Sequence, residues 1–441
     1  MLNNKKQIFG WVMYDWANSA YVTTVLVALL PPYFAAVVVP PEGVNIGGAY
    51  FTAESIWALM ISFSASVVFI FAPVLGAISD FSASKKRFLM LFCYGGSLAT
   101  VALVFSSSGD ILQTMILFVI AQICFVGSNI FYDAFLPQIA SDDQIDWVSG
   151  KGFAYGYVGG GLQLAISLGL VMGHNAIGIS QELAVRLAIA MAGLWWGGFA
   201  IITFLNVQEE PPVESLPATY QHLPKWRAYT EVGIIRILVT LRKVKQFKHL
   251  LLFLIAYLLY NNGIQTVMAM ATIYGQQEIG LGTTTLMVTL LFIQFVSIFG
   301  ALGFSKLAER VTAKKALMLS LVGWCLVIVY AYFLTNATEY FILGGIVGIV
   351  QGGSQALSRS FYGGMVPIHA SAEFYGFYSV FSKGSAILGP LTFAAIGFIT
   401  GSNRLAILGV IVFFISGLIL LGCVNVDRAK DARNSVEFRQ H

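Results

Sequence analysis

The chain begins its first apolar run with Trp11-Val12-Met13-Tyr14-Asp15-Trp16-Ala17-Asn18-Ser19-Ala20-Tyr21, and this run continues to Val39. Asp15 and Asn18 place a carboxylate and an amide in a segment otherwise suited to hydrocarbon. On a helix, Trp11, Asp15 and Asn18 lie three or four residues apart and share one face. An acid inside a membrane helix costs about 2.5–3.5 kcal/mol on insertion scales, so it usually faces a partner or a water-filled cavity. The stretch therefore predicts a membrane helix with one polar, functional face.

The overall composition agrees with a polytopic membrane protein. Of 441 residues, 57% are hydrophobic and 10% are charged, with a mean hydropathy of +0.78, whereas soluble domains carry about 25% charged residues. The net charge of +4 follows the membrane topology described below, so we expect no nucleic-acid partner. The cysteines all lie in apolar runs without a CxxC pair, which indicates free thiols and no metal site: Cys93, Cys124, Cys325 and Cys423.

Twelve windows reach the length of about 20 apolar residues that a membrane span requires. They cover residues 11–37, 55–79, 87–107, 111–133, 152–172, 183–206, 249–271, 284–304, 315–334, 340–360, 374–399 and 404–424. The longest connection divides them six and six. We therefore predict an all-α fold of two six-helix halves, 1–206 and 249–441, joined by a cytoplasmic linker, 207–248. Lys5 and Lys6 precede a run too long for a signal peptide, which predicts an uncleaved first span.

Lysine and arginine concentrate on alternate connections, and such residues mark the cytoplasmic side of membrane proteins. With the N-terminus inside, the inner side receives Lys5, Lys6, Lys85, Lys86, Arg87, Lys151, the linker, Lys306, Arg310, Lys314, Lys315 and the basic C-terminal tail. Both termini are thus predicted to be cytoplasmic. Within the linker, residues 226–250 mix basic and apolar side chains, which predicts either an amphipathic helix on anionic lipid or a solvated linker.

The two halves carry matching segments. Residues 76–86 after the second span and residues 305–315 after the eighth align acid with acid and lysine pair with lysine pair. A second match aligns Gly127-Ser128-Asn129 with Gly353-Ser354-Gln355, and the same offset sets Asp133 opposite Arg359. Parallel six-span repeats around a site near the middle of the membrane are typical of secondary transporters.

The segment after the second span resembles the signature of the major facilitator superfamily, G-x-L-A-D-R-x-G-R-K. Gly76, Asp80, Lys85 and Lys86 match it, whereas Ala83 replaces a glycine. In the second copy, serine and threonine replace both glycines, at positions 305 and 312.

Three further stretches resemble one branch, the vacuole-effluxer family of autophagy-related amino-acid exporters and its bacterial relatives. They are residues 14–21 (YDWANSAY), 131–137 (FYDAFLP) and 351–360 (QGGSQALSRS). The resemblance extends over nearly the whole chain. It implies a twelve-helix transporter of the major facilitator fold, and for a bacterial relative it implies the inner membrane. Fungal relatives release amino acids from the vacuole.

Charged residues within spans are the first candidates for the site. Asp15 and Asn18 bind substrate or a coupling proton in one interpretation, and hold a neighbouring helix in the other. Lys383 lies roughly 13 Å into its helix at 1.5 Å per residue, close to the middle of the membrane. We interpret Lys383 as an anchor for an anionic group or as the counter-ion of Asp15, and alternatively as a member of a structural ion pair.

Gating residues are predicted at the cytoplasmic ends of the spans. Asp133 and Arg359 occupy equivalent ends of spans four and ten, where they either form an inner gate or are independent helix-end charges. By analogy with the superfamily, Asp80 and Glu309 are predicted to latch helices in one conformational state.

Polar residues on central spans complete the candidate cavity, although each can instead form a helix–helix hydrogen bond. The selected set is Tyr14, Gln122, Asn129, Asn262 and Gln355. No catalytic set, cofactor motif or Walker loop is found, so an enzyme is not expected.

The sequence thus predicts a monomeric secondary transporter that moves a small solute by alternating access. The predicted solute is an amino acid or a related metabolite. Protons are the candidate coupling ions, and membrane lipids are the other expected partners. Two alternatives remain: a carrier of lysolipid-like amphiphiles, which the 14% aromatic content permits, and a non-transporting membrane receptor or scaffold.

Overall fold

The computed structural model describes residues 2–46, 49–211, 220, 223–242 and 247–435. In this part of the chain, twelve helices are long and apolar enough to cross a membrane, which confirms the predicted all-α class. Spans 1 to 12 are Lys5–Val38, Ala53–Ser82, Lys85–Phe105, Ile111–Ile139, Ile145–Met172, Gln181–Asn206, Lys248–Ile279, Thr283–Val311, Ala313–Phe333, Ala337–Gly363, Ser371–Thr400 and Asn403–Gly422.

Several helices extend beyond their predicted apolar windows. Span 5 begins at Ile145 and span 8 continues to Val311, so both include charged residues that hydropathy alone assigns to loops. An apolar window measures the hydrocarbon thickness, whereas the helix itself continues into the aqueous boundary. Because successive spans run in opposite directions, Lys5 and Gly422 mark one end of the bundle, which we call the terminal end. Strands β1 (Val44–Ile46) and β2 (Ala49–Phe51) form an antiparallel hairpin at the opposite, distal end.

Span 1 is not a uniform α-helix. It is α-helical over Lys5–Ala20 and widens into a π-helix over Tyr21–Leu29. Thr23 and Thr24 in the widened segment donate hydrogen bonds to span 5, to the carbonyl of Gly160 and to the Gln163 side chain. π-Helical turns are frequent at functional sites, and this one begins three residues after Asn18 and six after Asp15.

Glycines allow span 5 to lie directly against span 1. A Cβ at Gly159 would come within 2.4 Å of the Trp16 carbonyl oxygen, and one at Gly160 within 3.0 Å of Thr23. Small residues that let helix backbones approach are typical of membrane interiors, where packing replaces the hydrophobic effect between helices. The glycine run therefore fixes span 1 within the N-terminal half.

The two halves meet closely at the terminal end through spans 2 and 11. A Cβ at Gly76 would lie 2.3 Å from the Ala372 carbonyl oxygen. Asp80 accepts hydrogen bonds from the backbone N–H groups of Ala372 and Glu373, at 3.2 and 2.8 Å, and pairs with Lys85 at 2.7 Å. A carboxylate at a helix N-terminus is stabilised by the free N–H groups and the helix dipole. Asp80 thus connects span 2 to the start of span 11.

The second copy of this segment differs from the first. Ser305, in the place of Gly76, packs against Gly150 of span 5. Glu309, in the place of Asp80, is exposed and has no ion pair with another described residue. The predicted latching role of Glu309 therefore has no ion pair behind it among the described residues and stays a prediction.

A helix over Lys225–Arg242 lies within the predicted linker. Its Ala228 and Val232 are buried, and Gly233 approaches Ile78 of span 2 so closely that a Cβ would lie 2.6 Å from it. Ile234 and Ile235 are exposed, and contact of this helix with lipid stays a prediction. Part of the predicted amphipathic segment, residues 243–246, lies outside the described residues, as do residues 212–219 and 221–222.

The C-terminal helix, Val426–Ser435, bridges the halves at the terminal end. Arg433 and Lys430 pair with Asp142 at 2.9 and 3.1 Å, and Arg433 also donates to the carbonyl of Gly364. Burial raises the pKa of Asp142, but hydrogen bonds from the two basic side chains outweigh that effect, and the pKa lies below its ordinary value. The bridge therefore stabilises the folded protein at pH values above the ordinary aspartate pKa. This stabilisation is lost as the pH falls through the lowered pKa of Asp142.

We predict that Gly76→Val opens the terminal end without unfolding either half. The added methyl groups collide with the backbone of span 11, and overpacking of this kind costs about 1–3 kcal/mol. Distances between spin labels on the terminal ends of spans 2 and 11 should lengthen in the variant. Gly198→Val is the matched control, because a Cβ at Gly198 meets no other atom within 4 Å. Unchanged distances in Gly76→Val would show that this contact does not hold the halves together.

Candidate functional site

A cavity of about 310 Å³ lies between the two halves. Its wall comes from spans 1, 4, 5, 7, 8, 10 and 11. Most of its polar groups are amides and phenols: Asn18, Asn129, Asn261, Gln265, Gln294, Gln351, Gln355, Tyr157, Tyr257, Tyr260 and Tyr378. Such a lining offers both donors and acceptors of hydrogen bonds, so the cavity suits a small polar solute.

An ion cluster lines the cavity on the side of the terminal end. One guanidinium nitrogen of Arg359, from span 10, lies 3.0 Å from Asp15 of span 1 and 3.3 Å from Asp133 of span 4. The Arg359 side chain is only 4% exposed. Since breaking a buried ion pair leaves an uncompensated charge, at a cost of about 3–5 kcal/mol, the cluster joins the C-terminal half firmly to the N-terminal half.

Span 5 supplies further partners to Arg359. The Nε and the second terminal nitrogen donate to the Ser149 hydroxyl at 3.0 Å and to the Ser149 carbonyl at 2.9 Å. The guanidinium lies over the rings of Phe153 and Trp11, 4.1 and 4.7 Å from their centroids. A planar guanidinium combines directional hydrogen bonds with aromatic stacking, which a lysine ammonium cannot reproduce.

Asp15 is held more firmly than Asp133. The Tyr132 hydroxyl donates to the Asp15 carboxylate at 2.8 Å, and Trp11 stacks on the Tyr132 ring with centroids 4.5 Å apart. Trp11 in turn donates its indole N–H to the Tyr132 carbonyl at 2.9 Å. For Asp133, the described residues provide one hydrogen bond, the longer one from Arg359. The cluster therefore contains one fixed carboxylate and one loosely held carboxylate.

Gly152 makes room for this arrangement. A Cβ at this position would lie 2.6 Å from both Arg359 and Asp15, and 2.8 Å from Trp11. Any larger residue would separate the ion pair, so glycine is required by close approach rather than by backbone conformation.

The structure brings several predicted site residues together at the cavity. Asn18 donates to the Asn129 side chain at 2.8 Å, and both line the cavity. Gln355 lines it as well and accepts a hydrogen bond of 2.5 Å from Tyr157. Asp15, Asp133 and Arg359 complete this group, although their functional roles remain predictions.

Three predicted cavity residues lie outside the lining. Tyr14 is fully buried against Tyr132, with centroids 4.9 Å apart. Gln122 accepts a hydrogen bond from Tyr21 at 3.1 Å, and Asn262 accepts one from the backbone N–H of Gly389 at 2.5 Å. Gln122 and Asn262 thus form helix–helix hydrogen bonds, the alternative interpretation for these two residues, whereas Tyr14 contributes packing. Which amide of the Asn261-Asn262 pair faces the cavity depends on helix rotation, and it is Asn261.

Lys383 is not the counter-ion of Asp15, because Arg359 occupies that position. Lys383 does not line the cavity either, whereas its neighbour Ser382 does. Gly376 of the same helix packs on Pro73 of span 2. Lys383 lies seven residues, or about two helical turns, after Gly376, so Lys383 and Gly376 share a helix face. Lys383 thus lies on the side of span 11 that faces span 2.

Sequence reasoning missed the aromatic part of the site. Tyr257 and Tyr260 on span 7, Tyr378 on span 11 and Tyr157 on span 5 all line the cavity. The spacing of Tyr257, Asn261 and Gln265 at successive i, i+4 positions carried the signal, since it places all three on one helix face. In the described part of the chain, no group of three or more histidine, cysteine or acidic side chains is placed to hold a metal.

Relatives of known sequence cover almost all of the chain. An uncharacterized MFS-type transporter, YxiO of Bacillus subtilis, is 32% identical over 428 residues, which is 97% of this chain and 96% of the relative. Autophagy-related protein 22-1 of Penicillium rubens is 23% identical and covers 97% of this chain and 91% of its own length. Autophagy-related protein 22 of Saccharomyces cerevisiae is also 23% identical and covers 99% of this chain and 94% of its own length.

Solved structures share the fold at low sequence identity. The human organic anion transporter MFSD10 superposes with a TM-score of 0.68 at 14% identity, covering 95% of this chain and 99% of that one. The major facilitator transporter FucP, in an outward conformation, superposes with a TM-score of 0.68 at 12% identity, covering 95% of this chain and 98% of that one. Transporters, rather than enzymes, thus share this architecture.

The family model described as "Vacuole effluxer Atg22 like" matches residues 3–434. This match confirms the resemblance seen in the three sequence stretches and, together with the bacterial relative, decides the classification. The chain belongs to the Atg22-like vacuole effluxer family of MFS-type, multi-pass membrane transporters.

Proposed function

We propose that this transporter moves a small polar solute, an amino acid or a related metabolite, by alternating access. The cavity between the halves is the observation that supports this most directly. Its volume of about 310 Å³ lies at the lower end of the range of about 300–1,000 Å³ for small-molecule sites. The amide and tyrosine lining suits a solute with several hydrogen-bonding groups, and the fungal relatives belong to a family named for efflux.

We propose that the terminal end faces the cytoplasm, in a bacterial inner membrane. The lysine and arginine side chains at this end support that orientation. In the present structure the hydrogen bonds that join the halves cluster there, at Asp80, Arg359 and Arg433. The structure then corresponds to a state closed towards the cytoplasm, and transport requires these contacts to separate.

The ion cluster is proposed as the inner gate. Arg359 belongs to one half, and both of its carboxylate partners belong to the other. Rocking of the halves must therefore break the pairs, and the charges need another partner or a proton when they separate. Asp15 and Asp133 are for this reason the candidate sites of proton coupling.

A carrier of lysolipid-like amphiphiles is the second candidate. An apolar groove of about 490 Å³, lined by side chains of spans 2, 7, 10 and 11, lies beside the central cavity. Tyr362 of the groove stacks on Tyr378 of the cavity, with centroids 4.9 Å apart, so the two spaces are separated by this ring pair. An acyl chain that passed from the groove into the cavity at this point would have to move these rings apart.

The first test is transport by the purified protein in proteoliposomes. We expect uptake of at least one radiolabelled amino acid, faster with an imposed proton gradient than without it. Lysolipids should not compete with the amino acid for uptake if the polar cavity is the substrate site. Equal rates with and without the gradient would exclude proton coupling, and competition by lysolipids would favour the second candidate.

The proposed inner gate predicts how substitutions at Arg359 and Asp15 change the melting temperature. Arg359→Gln leaves two carboxylates without their cation, so we expect loss of transport and a lower melting temperature. Adding Asp15→Asn to this variant removes one unpaired charge and should restore part of the lost stability, by about 0.5–3 kcal/mol of coupling. Purely additive melting temperatures in this double-mutant cycle would mean that the two residues are not energetically coupled.

Lys383 offers a separate test of the site boundary. Because it lies outside the cavity lining, Lys383→Ala should bind the transported solute with unchanged affinity, even if movement of span 11 past span 2 makes transport slower. Equilibrium binding and transport rate should be measured on the same preparation. A loss of solute binding in Lys383→Ala would show that Lys383 belongs to the substrate site.

A further inference from the structure

The loosely held carboxylate of the ion cluster suggests what kind of solute the cavity takes. We infer that Asp133 is a shared site at which a protonated amine of the solute and a proton replace each other, so that the transporter exchanges an amine-bearing solute for protons. This inference rests on the proposed transport function and specifies its substrate class and coupling.

The charge of the cavity supports a cationic ligand. Among the described lining residues, the charged ones are Asp15, Asp133 and Arg359, so two carboxylates face one guanidinium. With all three ionised, the lining carries one excess negative charge. A charge enclosed at low dielectric is strongly unfavourable unless it is paired, and a bound proton or a bound ammonium group can each neutralise it.

Asp133 is the carboxylate that can change partners. Asp15 keeps the Tyr132 hydroxyl and the shorter contact to Arg359, whereas Asp133 has the 3.3 Å contact with the same guanidinium nitrogen. Arg359 would still retain Asp15 and both Ser149 contacts if Asp133 were protonated or engaged elsewhere. Proton binding at Asp133 therefore does not dissolve the rest of the cluster.

The surroundings of Asp133 suit an ammonium group. The titratable and charged groups that interact electrostatically with it are Asp15 from span 1, Arg359 from span 10, Tyr257 from span 7, Tyr375 and Tyr378 from span 11, and Tyr132 from its own helix. Tyr257 and Tyr378 line the cavity together with Asp133. Aromatic faces next to a carboxylate provide cation–π contacts for a protonated amine.

Because the proton and the ammonium group bind at the same position, Asp133, the transporter exchanges one for the other. When the solute binds, the Asp133 carboxyl group releases its proton to the solution on the open side, and the resulting carboxylate pairs with the ammonium. On the other side the solute leaves and a proton takes its place. A proton and an ammonium bound together would give the lining an excess positive charge, so simultaneous occupancy is disfavoured.

The test uses pairs of an amine and a carboxylic acid with the same carbon skeleton. Suitable pairs are isopentylamine with 3-methylbutanoate, phenethylamine with phenylacetate, and cadaverine with glutarate. For the purified full-length protein, we expect at least one amine to bind while its acid does not. In weakly buffered solution this binding should release up to one proton per protein. The amine should bind about tenfold more tightly for each unit of rising pH until Asp133 is fully ionised.

Variants at Asp133 decide whether this residue is responsible. In Asp133→Asn, amine binding should weaken by more than about tenfold, proton release should disappear and the remaining binding should not depend on pH. Asp133→Glu should restore the proton release. Glu42→Gln, which changes an exposed acid in a distal loop, is the matched control and should behave as wild type. Circular dichroism and size-exclusion chromatography will show that each variant is folded.

The possible results separate this inference from the general transport function. Binding of acids alone, binding of none of the six compounds, or amine binding without proton release would overturn the inference. Counterflow of an anionic or neutral solute at a pH-independent rate would also overturn it, while the proposed transport function would stand. Absence of any transport in proteoliposomes would instead contradict the proposed function.

Discussion

A single guanidinium buried between two carboxylates of the opposite half is the constraint on which the structure depends. Arg359 cannot remain charged in a membrane interior without partners, and its partners Asp15 and Asp133 come from two helices of the N-terminal half. This need fixes how spans 1, 4 and 10 are placed relative to one another. It also makes their separation, which the proposed alternating access requires, dependent on a replacement for each lost partner.

Other features at the terminal end serve the same closed arrangement by different physical means. Gly76 removes side-chain bulk so that span 2 can reach the backbone of span 11, and Asp80 satisfies the free N–H groups at the start of that helix. The Asp142–Arg433 bridge adds an exposed ion pair between the halves. Buried charge, backbone contact and surface charge thus act together at one end, whereas the polar cavity lies deeper in the bundle. This division matches a solute site placed above a gate.

Much of the site could be predicted because the cost of burying charge is visible in a sequence. An acid at position 15 and charges at 133 and 359 stand out in apolar surroundings, and the internal repeat indicated that 133 and 359 occupy equivalent ends. The partner of Asp15 could not be predicted, since Lys383 and Arg359 are both cations in spans of the C-terminal half and only the packing of the helices shows that Arg359 reaches Asp15. Tyr14, Gln122 and Asn262 were placed in the cavity for the same reason: a polar side chain in a span is equally consistent with a helix contact.

The sequence by itself determined the membrane class, the twelve spans, the two-half repeat and the family, because hydropathy, charge asymmetry and local motifs are properties of segments. Only the tertiary structure decided which amide of the Asn261-Asn262 pair faces the cavity and that four tyrosines share it with the ion cluster. It also decided that Asp80 forms its interhelical contact, whereas Glu309 forms no ion pair with another described residue. These outcomes depend on the rotation and approach of helices far apart in the chain. The rotation and approach of these helices are set by close packing at glycines and by the requirement that buried charges such as Arg359 find partners.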